Sequence, residues 1–199
     1  MGRKTMNYLI KTVQPVSEPV SLAEAQLHLR LDTEGSPPSH PDDTLVQTLI
    51  SASRENAEQY TGVTIAPASY EMQSFVDKDY IKLQTFPVNS IESVTYVDND
   101  DVTQTVAANT YEINNYFRPA RLYFKGSASN FELTVRFSAG YTDGQSPNTF
   151  PTPAGVKAAI LLMLGNLYEN RETVSNMQSY ERPQSATYLL TPHRVNMGL

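Results

Sequence analysis

The stretch TPAGVKAAILLMLGNLYENRE, Thr152 to Glu172, constrains the fold more than any other part of the chain. Thr152 is placed to cap a helix, and Pro153 suits the first helical position. Val156, Ile160, Met163, Leu164 and Leu167 recur at three- and four-residue steps. One face is therefore apolar. Leu161, Leu162 and Tyr168 widen that face almost to the full circumference. A helix of this kind is buried on several sides. It should span roughly 30 Å at about 1.5 Å per residue. It is not a membrane span, because the unbroken apolar run is only Ala158 to Leu164 and a span needs about 20 such residues. Gly155, Ala158, Ala159 and Gly165 let other backbones approach closely. The expectation is a central core helix with several packing partners.

What can surround it is bounded by composition. With 199 residues and 40% hydrophobic content, the chain supports one real core, or two small lobes. It contains no cysteine, which excludes disulfides, thiolate nucleophiles and cysteine-ligated zinc. The net charge of -6 argues against general coating of nucleic acid. The charge is uneven. Residues 1–14 carry three bases and no acid, and residues 15–60 carry two bases and eight acids. Residues 61–150 carry six and ten, and residues 151–199 carry four and three. The ends are basic and the body acidic. Tyr8-Leu9-Ile10 is far too short for a secretory apolar region. Met6 stands where a myristoylation signal needs Ser or Thr. The chain is expected to act where it is made, or in an assembly built there.

Residues 1–20 read as an extended arm, with Pro15 and Pro19 disfavouring a helix. Ser21-Leu22-Ala23-Glu24 reads as a capping box. The helix it opens ends near Arg30, with Leu22, Ala25, Leu27 and Leu29 as its apolar contacts. Residues 33–41 form a loop by composition. A second helix starts at Asp42 or Asp43, whose negative charges suit its positive end. Leu45, Val46, Leu49, Ile50, Ala57 and Tyr60 form its apolar face, with Arg54, Glu55 and Glu58 pointing elsewhere. Gly62 stops it. From Val63 to about Phe150 the period changes to two. Phe131–Phe137, Arg121–Lys125, Tyr80–Gln84 and Ile91–Val97 read as strands, with Tyr70–Val76 and Thr110–Asn114 as weaker ones. Asp98-Asn99-Asp100-Asp101 and Lys125-Gly126-Ser127 are turn chemistry. The pieces suggest an antiparallel meander or small sandwich. After Glu172 the chain is polar until Tyr188-Leu189-Leu190. That knot either folds back onto its own domain or docks onto a partner.

The fold class is α+β: a small bundle of three main helices with an inserted antiparallel β lobe. The expected parts are an arm at 1–20, a helical core at 21–62 and 151–172, a β lobe at 63–150, and a C-terminal arm at 173–199.

Catalytic chemistry is sparse. His28, His40 and His193 form no metal-ligand pair and sit near no acid–nucleophile set. No glycine-rich phosphate loop is present. The aspartates at 98–101 lack calcium-loop spacing. Asp42 and Asp43 have a sufficient structural role at a helix start. The tyrosines fall mostly at strand and helix ends, where an aromatic body with a polar tip is ordinary. No enzyme, cofactor or metal is expected.

Taken in order, the motifs resemble the head–tail connector, or adaptor, proteins of long-tailed bacteriophages, in the version with a β insertion. The matching stretches are Pro19-Val20-Ser21-Leu22-Ala23-Glu24-Ala25 with His28-Leu29-Arg30, and Asp42-Asp43-Thr44-Leu45 with Leu49-Ile50. Then come Glu58-Gln59-Tyr60-Thr61-Gly62, Ala139-Gly140-Tyr141, Pro153 with Ala158-Ala159-Ile160-Leu161, and Tyr168-Glu169-Asn170-Arg171-Glu172. The resemblance runs from residue 15 to about 172. The arm, the proline-rich loop at 36–41 and the tail depart from it. Glu24, Asp42, Asp43, Tyr60, Gly62, Tyr168 and Arg171 carry the motif. The resemblance implies a ring, usually of twelve copies, in the virion below the portal protein, assembled in the host cytoplasm. Genomic DNA would pass through the ring without sequence-specific binding, and no membrane is involved. A stopper or tail-completion protein would bind the lower face. The family's use of its C-terminal arm assigns portal docking to Tyr188, Leu189, Leu190 and Arg194. Val156, Ile160, Leu161, Met163, Leu164, Leu167 and Tyr168 would pack the core and the neighbouring subunit. An acidic body facing the channel would repel phosphate. Two other readings stand beside it. A virion decoration or tail-tip binding module needs an exposed aromatic patch on the β lobe and no ring. A small hydrolase needs two of Glu24, Asp42, Asp43 and Glu58 converging in a cleft.

Overall fold

The computed structural model describes residues 8–76, 80–98, 100–125, 132–142, 144, 150–170 and 183–195. It has the expected α+β class, with helices and antiparallel sheets. The chain divides into two compact units at Val16/Ser17, Thr61/Gly62, Pro151/Thr152 and Arg194/Val195.

The helical unit starts where the capping box places it. The Glu24 backbone N–H donates to Ser21 Oγ at 3.2 Å, and the Ser21 N–H donates to Glu24 Oε2 at 2.8 Å. Helix α1 (Leu22–Leu29) follows. It buries Ala25 and Gln26, whereas Leu27, expected as a contact, is exposed. Helix α2 (Asp43–Thr61) buries Val46, Ile50, Ser53, Arg54, Ala57 and Thr61. Arg54 therefore corrects the sequence reading: it lies on the inward face. Gly62 follows with φ of +68°, a conformation that suits glycine.

Helix α3 (Ala154–Glu169) is the long apolar helix. It begins one residue later than expected. Pro153 occupies the cap position, and no side chain caps the end, so Thr152 is not the cap. Val156, Ala159, Ile160, Met163 and Leu164 are buried. Leu161, Leu162 and Tyr168 are half-buried, and Leu167, expected in the core, is 42% exposed. Helix α4 (Gln184–Leu190) packs against α3. The sequence reading made this stretch part of an arm. Its burial of Ala186 and Leu190 makes it instead a fourth helix of the bundle.

The β unit contains strands β1 (Tyr8–Val13), β2 (Ala68–Phe75), β3 (Tyr80–Lys82), β4 (Val88–Val97), β5 (Thr103–Thr105), β6 (Tyr111–Asn114), β7 (Arg121–Phe124) and β8 (Glu132–Ala139). They form a five-stranded sheet, β1-β2-β8-β4-β5, and a three-stranded sheet, β3-β7-β6. All pairings between these eight strands are antiparallel. The order is not sequential, so the sandwich alternative holds and a simple meander does not. Both sheets line one core, with Met72, Leu83, Val88, Val94, Leu122, Val135 and Phe137 among its buried members. Strands β1 and β5 were not expected. The first falls within the supposed arm, and β5 is short and exposed. Alternation is clean in β8, where Leu133, Val135, Phe137 and Ala139 point inward. Gly140 follows at φ +129°. A Cβ there would lie 2.7–2.8 Å from backbone atoms of Pro67 and Ala66, so only glycine fits.

Candidate assembly surfaces

In the helical unit, the residues singled out from sequence are tied together by polar contacts. Tyr168 Oη donates to Asp42 Oδ2 at 2.6 Å, joining the end of α3 to the start of α2. Asp43 accepts from Gln26 Nε2 at 2.6 Å and from the His40 N–H at 2.9 Å. Tyr60 Oη lies 3.1 Å from Thr191 Oγ1, and the Arg194 guanidinium sits over the Tyr60 ring at 5.4 Å. Arg171 lies outside the described residues. Glu24 accepts from Ser21 and pairs with Lys157 Nζ at 3.5 Å. The backbone and hydroxyl of Ser21, with Lys157, hold its carboxyl below the ordinary range. Glu58 pairs with Arg54. Each of the four acids of the hydrolase reading thus has a structural partner. Among the described residues no cluster could hold a metal ion, and no helix is long and apolar enough to cross a membrane. His28 and His193 lie beside Gly165 and Gly155, and His40 Nδ1 accepts from the Asp42 N–H.

The feature missed in the sequence is the cluster around Arg54. Its side chain is only 3% exposed. Nε donates to Glu18 at 2.8 Å, Nη1 to Glu58 at 2.9 Å and Nη2 to Glu55 at 3.3 Å. Ser51 Oγ donates to Glu18 at 2.8 Å. Burial alone would lower the Arg54 pKa, but the Glu18 hydrogen bond and the surrounding carboxylates outweigh it and raise it. The signal was present: Arg54 lies four residues after Ile50 and three before Ala57, on the apolar arc.

The four docking residues separate. Leu190 is fully buried in the bundle, so it is a core residue and corrects the docking assignment. Leu189 is half-buried, Arg194 is exposed, and Tyr188 is 71% exposed.

The β unit carries a second surface that the tyrosine distribution did not reveal. The loop from Asn115 to Ala120 joins β6 to β7. Asn115 pins it to the start of β4, accepting from the Val88 N–H at 3.2 Å and donating to the Val88 carbonyl at 2.7 Å. The Arg121 guanidinium lies 3.7 Å from the Phe117 ring centroid and 4.6 Å from that of Tyr80. Arg118 lies 4.7 Å from the Phe86 ring. These are cation–π distances. Tyr116, beside them, is 96% exposed. The run Tyr116-Phe117-Arg118-Pro119-Ala120-Arg121 was the available sequence signal.

No family model matches the chain, and no curated protein does. Solved structures do share its fold. A chain from the neck of an empty GTA particle, computed with C6 symmetry, superposes with a TM-score of 0.76 at 18% identity, over 96% of this chain and 97% of that one. A chain from the virion of a native gene transfer agent (GTA) particle gives 0.70 at 18% identity, over 94% and 97%. A chain from the neck of a native GTA particle, computed with C12 symmetry, gives 0.65 at 16% identity, over 94% and 97%. The fold of this chain, across nearly its whole length, is one found in the necks and virions of gene transfer agent particles.

Proposed function

We propose that the protein is a structural component of a virion neck: a head–tail adaptor whose copies form a ring, of twelve, below the portal protein. DNA passes through the ring without sequence-specific contacts, and a stopper or tail-completion protein binds its other face. The ring sits in the virion and is assembled in the host cytoplasm. It has no catalytic role. The observation that carries this reading is the near-complete fold match to a neck chain, at a TM-score of 0.76 over 96% of the chain. The neck structures with C6 and C12 symmetry support a ring.

Within this reading the parts take separate tasks. Val156, Ile160, Met163 and Leu164 hold the bundle together. Leu161, Leu162 and Leu167 keep partly exposed apolar surface, which serves the neighbouring subunit. Tyr188 and Arg194 remain available for the portal, while Leu190 anchors the helix that presents them. Native mass measurement tests the reading, on the chain alone and mixed with its portal protein. A ring on its own, or one that forms only on portal, is the expected result. A chain that stays monomeric in both conditions overturns it and favours the decoration or tail-tip module, for which Tyr116 and its neighbours supply an exposed aromatic patch.

A further inference from the structure

The β unit carries two exposed surfaces of opposite chemistry at opposite ends of β4. The Arg118–Arg121 patch is fastened to Val88, where β4 begins. Neither arginine has a carboxylate partner among the described residues. Arg121 is held instead by two aromatic faces and by Tyr123 Oη at 3.4 Å. Two cations with no carboxylate partner among the described residues are conspicuous in a chain of net charge -6.

At the other end of β4 the hairpin to β5 turns at Asp98–Val102. Asp98 is used inside the turn. Its carboxylate accepts from the Val102 N–H at 2.9 Å, the Asp100 N–H at 3.0 Å and Gln104 Nε2 at 2.8 Å. Asp100 and Asp101 have exposed carboxylates without a cationic partner among the described residues. Val97 and Val102 flank them and are also exposed. The tip therefore offers two negative charges with an apolar margin. The patch offers two positive charges with Tyr116 and Phe117 as its apolar margin.

The two surfaces cannot satisfy each other within one chain. Val88 and Val97 are the ends of a ten-residue strand, so they stand up to about 30 Å apart at roughly 3.3 Å per residue. Two complementary but different patches at opposite ends of a unit define a head-to-tail contact, which closes into a ring when the rotation per copy permits. We infer that the Asp100–Asp101 hairpin tip of one copy docks onto the Arg118–Arg121 patch of the next. This deepens the ring reading by naming one of its subunit contacts. Burying each arginine against an aspartate and an aromatic face gives orientation as well as attraction.

The absence of cysteine makes the contact directly testable. Asp100→Cys and Tyr116→Cys alter exposed side chains. The double variant, treated with a short bifunctional thiol reagent, should give a ladder of linked copies on a denaturing gel, and each single variant should give no ladder beyond a linked pair. A companion experiment uses charge reversal. Arg118→Glu and Asp100→Lys should each weaken self-association by about tenfold, and the chain carrying both should recover most of it. Rings without a ladder, or a doubly reversed chain no better than either single one, overturn the contact and leave the ring reading standing. With the portal protein present, a ladder without rings supports the contact and overturns the ring reading, and absence of both overturns both. Salt-sensitive capture of a short oligonucleotide by the arginines, without a ladder, assigns the patch to nucleic acid and likewise overturns the contact.

Discussion

Replacing Arg54 with methionine keeps the aliphatic stem of a buried side chain and removes its charge. Three carboxylates then lose their common counter-ion. Glu55 is 60% exposed, so its share is below about 1 kcal/mol. Glu18 and Glu58 are far less accessible to water. Breaking a buried pair by deleting one partner costs about 3–5 kcal/mol. Glu18 keeps its Ser51 hydrogen bond, so the lower end, about 3 kcal/mol, is expected. Urea unfolding followed by far-ultraviolet circular dichroism reads it directly, since the chain has no tryptophan. With a slope of about 2 kcal/mol per molar urea, the midpoint should fall by about 1.5 M. A triple variant that also carries Glu18→Gln and Glu58→Gln removes the stranded charges and should regain roughly half of the loss. A midpoint shift below about 0.5 M refutes the reasoning, as does a triple variant no more stable than the single one.

Four further perturbations probe the bundle. Tyr168→Phe deletes the hydroxyl bound to Asp42 and should cost about 1.5–3 kcal/mol in the same assay, because the acceptor is charged. Leu190→Ala should destabilise the chain by about 2–5 kcal/mol. Tyr188→Ala should leave stability within about 0.5 kcal/mol yet weaken capture by portal in a pull-down. Glu24→Gln tests the capping box through pH. The folded-state pKa of Glu24 is lowered from 4.5, so its carboxylate stabilises the fold above that value. That contribution is lost as pH falls through the lowered one. The stability gap between the parent chain and Glu24→Gln should be widest near neutral pH and close on acidification below about 4.5.

What could be read from the sequence was local. Ser21 and Glu24 are three residues apart, and their mutual hydrogen bonds are written in that spacing. Gly62 and the alternation of Leu133, Val135 and Phe137 are equally local signals. The pairing of Asp42 with Tyr168 bridges 126 positions, and no periodicity encodes a contact of that range. Arg54 departs from the rule that charge means exposure, and its spacing places it on the inward arc. Strand β1 was missed because its partner β2 begins 60 residues after it in the chain. Nothing near Tyr8 announces a strand except its partner. The arginine–aromatic patch is not legible in sequence because cation–π stacking has no fixed period, and its members come from β3, β7, the segment between β3 and β4 and the loop between β6 and β7.

The strand order has a consequence for synthesis. β8 is the middle strand of the five-stranded sheet, and it is the last of the five to be made. Until residue 139 leaves the ribosome, β2 and β4 each lack the neighbour that β8 provides. At about 5–20 residues per second, β2 waits roughly 3–13 s for that neighbour. A nascent chain stalled in this interval presents two open hydrogen-bonding edges, the usual route to clumping of unfinished β proteins. Slow codons read between the completion of β2 at Phe75 and the emergence of Ala139 from the ribosome should therefore reduce soluble yield, whereas the same codons read after that emergence should not.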